Sequence, residues 1–203
     1  MLSNVRLYSV VVLTIAALTS CSVGNRIAHN GQDAEITMGN IDVNANNSAG
    51  HLAATNGNVT LGQHAKAKSL EVLNGNISIG EYSEATSAET TNGNIEIGDN
   101  VQISLNVITL NGNIQLGTNV EIGANVRTAT GDVFIGKGTR INGDIIFEKL
   151  GYWSSKVEQE QPLLEIAEGA IVDGKIQLHR PITLQLPEGF PAARVIRHYD
   201  KRM

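Results

Sequence analysis

Few side chains in the 203-residue sequence have the types and spacing that catalysis or metal binding would need. No two of the five histidines stand at the spacing of metal ligands, and the side chain of His64 is expected to point to solvent. No phosphate-binding loop, nucleophile elbow or metal motif is present, so we expect no enzymatic activity, no catalytic residue, no cofactor and no bound metal. The acidic residues are spread over alternating outward positions, which is typical of a solvated face. The residues concerned are His29, His51, His64, His179 and His198, and Glu71, Glu81, Glu84, Glu89, Glu96 and Glu121.

The only cysteine, Cys21, has a more specific chemical context. An apolar run at 7–18 follows Arg6, with the length of a signal-peptide core and too short for a stable membrane-spanning helix. The sequence LTSC at 18–21 resembles a bacterial lipobox, whose cysteine is acylated on sulfur and, after cleavage, on its amine. The resemblance implies an envelope lipoprotein whose partner is the membrane, through acyl chains on Cys21. Ser22 as the second mature residue implies sorting to the outer membrane, and the alternative is a plain secretory signal with an incidental cysteine.

The composition excludes several kinds of partner and fold. The net charge is −5 at pH 7, with 15 Lys and Arg against 20 Asp and Glu, which gives no basic footprint for nucleic acid. A single cysteine cannot form an internal disulfide, so packing and hydrogen bonds must hold the fold. Aromatic residues make up 4% of the chain and glycine occurs 21 times, a balance that favours a narrow, stacked core over a broad globular one.

One eight-residue phrase recurs four times and sets the period of the chain. It reads TNGNVTLG from Thr55, LNGNISIG from Leu73, TNGNIEIG from Thr91 and LNGNIQLG from Leu110, at intervals of 18, 18 and 19 residues. Counting from Thr37, every sixth residue is apolar or threonine, with one inserted residue near Thr109 and a second near Thr130 that each restart the frame. An apolar residue often lies two places before these positions, which indicates short strands with one buried face. Three strands joined by corners make a triangular coil of about 18 residues, so the sequence predicts an all-β, single-stranded parallel β-helix. The sixth positions expected inside are Thr37, Val43, Ala49, Thr55, Leu61, Ala67, Leu73, Ile79, Ala85, Thr91, Ile97, Ile103, Leu110, Leu116, Ile122, Thr128, Ile135, Ile141 and Phe147.

The N-G-N core of the phrase is predicted to form one corner of each coil. Its glycine is expected to adopt a positive φ, which other residues reach only at a cost. The second asparagines should stack above one another as a ladder of neutral amides, where carboxylates would repel. Asp132 and Asp144 should therefore fall on different corners. The predicted corner residues are Gly57, Gly75, Gly93 and Gly112, and Asn58, Asn76, Asn94 and Asn113.

A family resemblance follows from these repeats. The segment VFIGKGTRINGDIIFEK, at 133–149, is similar to the repeats of bactofilins, and the N-G-N-I-x-I-G phrases resemble β-strand-repeat proteins grouped as adhesins. The bactofilin resemblance implies a short right-handed β-helix that polymerises end to end. Phrases such as LGTNVE also fit left-handed hexapeptide β-helices, but the preference for right-handed crossovers favours the right hand. A lipid anchor would distinguish this chain from typical bactofilins.

The predicted organisation has four parts. Residues 1–20 form the signal peptide, 21–35 the lipidated cysteine and a polar tether, 36–186 the β-helix, and 187–203 a C-terminal cap or tail. About six coils are expected up to Phe147, then an excursion at 148–161 and at least one further coil. Charged side chains in the tail are expected to block the open strand edge, and the competing interpretation makes that end an assembly surface.

The predicted function is structural. The chain is expected to be a lipid-anchored rod that scaffolds, adheres to or assembles with envelope components, including copies of itself. The alternative is a carbohydrate-binding or polysaccharide-active β-helix, since a flat face of regular spacing can match a repetitive ligand. Tyr152 and Trp153 in the excursion are the candidate partner contact, because exposed aromatic rings can stack on a sugar or dock a protein. The other interpretation is that both rings fold back over the rod.

Overall fold

The computed structural model describes residues 22–149 and 161–199, which form parallel strands and one short 3-10 helix, Ala192–Arg194. Each coil has three faces, here named A, B and C. Face A is a nine-stranded sheet of β1 (Arg26–Ala28), β3 (Ile41–Val43), β5 (Val59–Leu61), β7 (Ile77–Ile79), β9 (Ile95–Ile97), β12 (Ile114–Leu116), β15 (Val133–Ile135), β18 (Leu163–Ile166) and β21 (Thr183–Gln185). Face B consists of β2 (Ala34–Met38), β4 (Leu52–Asn56), β6 (Lys66–Asn74), β8 (Glu84–Asn92), β11 (Val107–Asn111), β14 (Val126–Thr128), β17 (Ile145–Phe147), β20 (Ile176–Leu178) and β22 (Val195–Arg197). Face C consists of the first residues of β6 and β8 with β10 (Gln102–Ile103), β13 (Glu121–Ile122), β16 (Arg140–Ile141) and β19 (Ile171–Val172).

The strand register confirms the predicted parallel β-helix. Each strand on face A pairs in parallel with the equivalent strand of the next coil, so that Val59 lies against Ile77 and Ile77 against Ile95. These steps are 18 residues, later steps are 19, and the step from Val133 to Leu164 is 31 because it contains the excursion. The result is a β-solenoid of about eight turns, in agreement with the prediction of about six coils and at least one further coil after the excursion. Among the described residues, the helical structure is too short to cross a membrane.

The core is a stack of aliphatic side chains along the axis. On face A, the column Val59, Ile77, Ile95, Ile114 and Val133 is at most 1% exposed. Each such side chain contributes on the order of 1.5–3 kcal/mol through burial. Because one coil buries only a few side chains, stability must come from stacking many coils.

On face B the six-residue rule fails in the coils up to Leu110, whereas its later positions Thr128 and Phe147 are buried as predicted. Thr37, Thr55, Leu73 and Thr91 are not buried, and Leu110 is 49% exposed. The inward positions on this face come one residue earlier, at Ile36, Ala54, Val72, Thr90 and Thr109.

The physical reason is that the three corners differ in length. Inward positions are separated by five residues across the N-G-N corner, from Ala54 to Val59. The next corner separates them by four, from Leu61 to Ala65. Because side chains alternate along a strand, an offset of one residue places the predicted positions of face B from Thr37 to Leu110 on the outer side of the strand.

The expected tether at 21–35 is wrong for the described residues, because the solenoid already includes Ser22 and β1. The Ser22 carbonyl accepts hydrogen bonds from the N–H groups of Thr37 (3.0 Å) and Met38 (3.1 Å), and β1 pairs with β3. The sequence SVGNRIA, at 22–28, is a degenerate copy of the repeat, and its coil is only 15 residues long from Gly24 to Gly39.

The C-terminal segment also carries structure that the sequence did not predict. Within the expected tail, β22 pairs with β20, and Phe190, Val195 and Tyr199 pack against the core. Glu148, Lys149 and Gln161 bound the excursion, while Tyr152 and Trp153 lie outside the described residues.

Candidate functional site

The N-G-N corner is the most regular feature of the surface. As predicted, Gly57, Gly75, Gly93 and Gly112 have positive φ angles, between 146° and 159°. A second constraint acts on the same glycines: a Cβ placed on Gly93 would overlap the carbonyl oxygen of Gly75 in the preceding coil. The coils therefore approach each other so closely at this corner that only glycine fits.

The second asparagine of each phrase is an acceptor for the next coil's backbone. The Oδ1 atom of Asn76 accepts the N–H of Asn94, and Oδ1 of Asn94 accepts the N–H of Asn113, both at 2.8 Å. Asn58 accepts the N–H of Asn76 in the same way, at 2.9 Å. The predicted amide-to-amide ladder is thus wrong for this file, apart from one side-chain contact of 3.3 Å between Asn58 and Asn40.

An acceptor-only position can also be filled by aspartate. Asp132 continues this file, and its Oδ1 atom accepts the N–H of Leu163 at 2.8 Å. Asp144 plays the same part at another corner, where it accepts the N–H of Lys175 at 2.7 Å. The prediction that these aspartates lie on different corners is confirmed, and each stands at the C-terminal end of a row of asparagines.

The amide ladder is formed by the first asparagine of the phrase. Nδ2 of Asn74 donates to Oδ1 of Asn56 at 3.0 Å, Asn92 donates to Asn74 at 2.9 Å, and Asn111 donates to Asn92 at 2.8 Å. These residues are exposed at the end of face B. Toward the N-terminus Met38 occupies the position below Asn56, so the ladder ends there.

A second corner, between faces A and C, contains residues in the left-handed region that the sequence analysis missed. Asn46, His64, Tyr82, Asn100 and Asn119 have φ angles of 54–61°. The exposed rings of His64 and Tyr82 stack with their centroids 4.9 Å apart and their planes 7° apart. The recurrence of asparagine at 46, 100 and 119, in step with the coil length, was the available signal, because asparagine tolerates this conformation. The expected exposure of His64 is confirmed.

The charged groups form short rows along the axis. Lys66 and Glu84, in adjacent coils of face C, are an exposed ion pair with a Nζ to Oε1 distance of 2.8 Å, and such a pair contributes little to stability. On face B, Glu71 lies beside Glu89. Burial raises the pKa of Glu89, the Glu71 carboxylate raises it further, and Arg127 opposes the shift.

Two histidine rings also stack at the C-terminal end of the described residues. His179 follows β20 and His198 follows β22, with ring centroids 4.4 Å apart and planes 10° apart. Burial lowers the pKa of His179, His198 lowers it further, and Glu148 opposes the shift. Arg194 of the tail donates to the carbonyl oxygen of Val172, so that the tail is tied to the last coil of face C.

The surface therefore offers repeated hydrogen-bonding rows rather than a set of converging acids and bases. Within 22–149 and 161–199, no three His, Cys, Asp or Glu side chains come together as a metal-binding group. Cys21, like Tyr152 and Trp153, lies outside the described residues. A scan against protein-family models, a search of curated proteins and a search of solved structures each find no match to this chain.

Proposed function

We propose that this chain is a lipid-anchored structural or interaction protein of the bacterial cell envelope, a β-solenoid rod held to the outer membrane by acyl chains on Cys21. The observation that carries the proposal is the position of the LTSC sequence at 18–21. It stands directly before Ser22, where the first coil begins. Cleavage before Cys21 would keep every described coil in the mature chain, with the lipid attached to the residue directly before Ser22.

The rod would act through rows of identical groups. Equivalent residues of successive coils lie ~4.8 Å apart, because that is the spacing of paired strands. The exposed amide ladder from Asn56 to Asn111 therefore repeats the same donor and acceptor along one corner. Such a row suits a partner that is itself repetitive, including a second copy of this chain or an envelope polymer.

Lipid attachment is tested by metabolic labelling with a clickable palmitate analogue in a bacterial host. The parent chain should incorporate label and fractionate with the outer membrane, and Cys21→Ala should do neither. Ser20→Ala is the matched control, since it keeps a small residue at the cleavage site and should be labelled like the parent. An unlabelled parent, or equal labelling of Cys21→Ala, would remove the basis of the proposal.

Carbohydrate binding is the second candidate, and the stacked rings of His64 and Tyr82 favour it. Tyr82 is 52% exposed at a corner, where an aromatic face can stack on a sugar ring. Tyr82→Asn is a well-matched test because asparagine occupies the same corner position at 46, 100 and 119. A glycan-array signal that this substitution abolishes would support the candidate, and a signal that it leaves unchanged would exclude this corner as the binding site.

A further inference from the structure

The two ends of the solenoid differ in what they expose. At the C-terminal end the tail packs Phe190, Val195 and Tyr199 against the core. The N-terminal coils instead expose large apolar side chains: Val23 is 71%, Ile27 59% and Met38 53% exposed. Three such residues within 16 positions of the chain need an explanation, since apolar groups on an exposed surface favour an apolar partner.

The apolar residues occupy positions that are polar in later coils. Val23 and Met38 pair as a parallel bridge, and Met38 aligns with Asn56, the first residue of the amide ladder. On the adjoining face A, Ile27 aligns with Asp42, which in turn aligns with Thr60. Both outward columns therefore change from apolar to polar within the first two coils, on the two faces that meet at the N-G-N corner.

The chain also fixes how far this patch can lie from Cys21. Ser22 is hydrogen-bonded to β2, so Cys21 is separated from the first coil by a single peptide bond. Consecutive Cα atoms are about 3.8 Å apart, which leaves no spacer between an acyl chain on Cys21 and the patch. Two coils rise ~5 Å each, a depth comparable with the ~5–10 Å to which interfacial elements are buried in a bilayer.

We propose that Val23, Ile27 and Met38 form a membrane-docking patch that inserts into the interface of the bilayer to which Cys21 is anchored. This inference rests on the proposed lipid anchor. It commits to lipid because the anchored residue, Cys21, lies two residues before Val23 in the chain and because the polar columns begin one coil above the patch. The amide ladder and the upper coils then stand clear of the membrane, so the rod has a defined end toward the bilayer.

The charges around the patch are compatible with a headgroup layer. The exposed Arg26 lies below Ile41 on face A, and its guanidinium donates to the Glu35 carbonyl at 3.3 Å. This cation can meet lipid phosphates. The nearby carboxylates are those of Asp33, Glu35 and Asp42; Asp42 aligns with Ile27 in the next coil, and Asp33 accepts the backbone N–H of His51 at 2.8 Å.

Depth-dependent fluorescence quenching tests the patch in the lipidated full chain. Acylation blocks the thiol of Cys21, so a cysteine introduced by Ile27→Cys is the only free thiol for an environment-sensitive dye. The protein is reconstituted into vesicles of phosphatidylethanolamine and phosphatidylglycerol that contain spin-labelled lipid. Gln115→Cys is the matched site, because Gln115 belongs to the same outward column of face A five coils higher. We expect at least threefold stronger quenching at position 27 than at position 115.

A second set of variants separates insertion from simple proximity to the membrane. The double substitution Val23→Asn and Met38→Asn extends the asparagines of the amide ladder into the first coils and removes two apolar side chains of the patch. It should reduce quenching at position 27 by at least half. Leu110→Thr removes an exposed apolar residue far from the patch and should leave quenching unchanged.

The outcomes distinguish this inference from the proposed function. Equal quenching at 27 and 115 with acylated Cys21 overturns the docking patch and leaves the anchor in place. Absence of acyl label on Cys21 removes the proposed function itself. Crosslinking of position 27 between copies, at the expense of lipid quenching, would assign the patch to self-association and overturn the membrane proposal.

Discussion

Replacing asparagine by aspartate should have different effects at the two rows of asparagines along the N-G-N corner. The first file is the row of first asparagines of the phrase, and the second file is the row of second asparagines. In the first file, Asn92 both donates to Asn74 and accepts from Asn111, so Asn92→Asp removes one donor. In the second file, Asn94 accepts the N–H of Asn113, a role that a carboxylate fills equally well. The paired variants are Asn74→Asp with Asn92→Asp, and Asn76→Asp with Asn94→Asp.

The magnitude follows from the bonds lost in each pair. Both double variants place two charges ~4.8 Å apart, which costs about 1 kcal/mol between solvated groups. Only the first-file pair also loses two amide donors, to Asn56 and Asn74, at about 0.5–1.5 kcal/mol each. The first-file pair should therefore be about 1–3 kcal/mol less stable than the second-file pair.

Equilibrium urea unfolding, followed by circular dichroism, measures this difference as a shift in midpoint. At pH 3, below the usual aspartate pKa of about 3.9, each carboxyl becomes neutral and regains an O–H donor, so much of the first-file loss should disappear. High salt should reduce the repulsion in both variants but not the gap between them. Equal midpoints for the two variants at pH 7 would show that the assigned donor and acceptor roles are wrong.

Three further predictions concern other parts of the rod. Gly93→Val should destabilise the protein by several kcal/mol more than Gly31→Ala in thermal or urea unfolding, because Gly31 also has a positive φ but has open space at its Cβ position; similar losses would exclude close packing as the cause. Because the pKa of Glu89 is raised in the folded state, stability should fall as pH rises from the usual glutamate range through the raised value. Glu89→Gln should flatten that dependence, and an unchanged pH profile of the urea midpoint would contradict it. The lowered pKa of His179 has the opposite sense: the unfolded chain binds the proton more readily, so the stability contributed by the β20–β22 pairing should decline as pH falls below about 6.5. His179→Asn should remove this decline from amide exchange in β22, and an identical decline in the variant would refute the assignment.

The sequence predicted the three-faced coil because its signal is repeated and physical. Intervals of 18 and 19 residues between N-G-N phrases bring identical strands into register, and the columns through Ile77 and Ile95 follow directly. The outer column of face B, including Leu73 and Leu110, was misassigned because a uniform six-residue step assumes three equal corners. Corner length depends on local backbone geometry, which periodicity does not reveal.

The hydrogen-bonding roles of the two asparagines at the N-G-N corner could not be predicted from the sequence for a related reason. Both asparagines of each N-G-N phrase have the same chemistry, so the sequence does not reveal that Asn92 donates to the amide of Asn74 whereas the amide of Asn76 accepts a backbone N–H. The first coil was missed because Val23 and Met38 replace asparagine in it. The replacement that concealed the repeat is also what makes this end of the surface apolar.

The contrast between the ends bears on how copies of the rod could associate. Growth of a solenoid by end-to-end stacking requires exposed strand edges at both ends. At the C-terminal end, Arg194 ties the tail to the Val172 carbonyl, and β22 extends face B by one strand beyond β20, so that among the described residues β22 is paired on one side only. If Cys21 places the first coil against lipid, the N-terminal end is not free for a second copy, and end-to-end growth, which needs both ends, is blocked. Self-association of the anchored protein would then run through the sides of the rod, where the amide ladder and the His64–Tyr82 corner lie, and substitutions in those rows rather than at the ends should alter it.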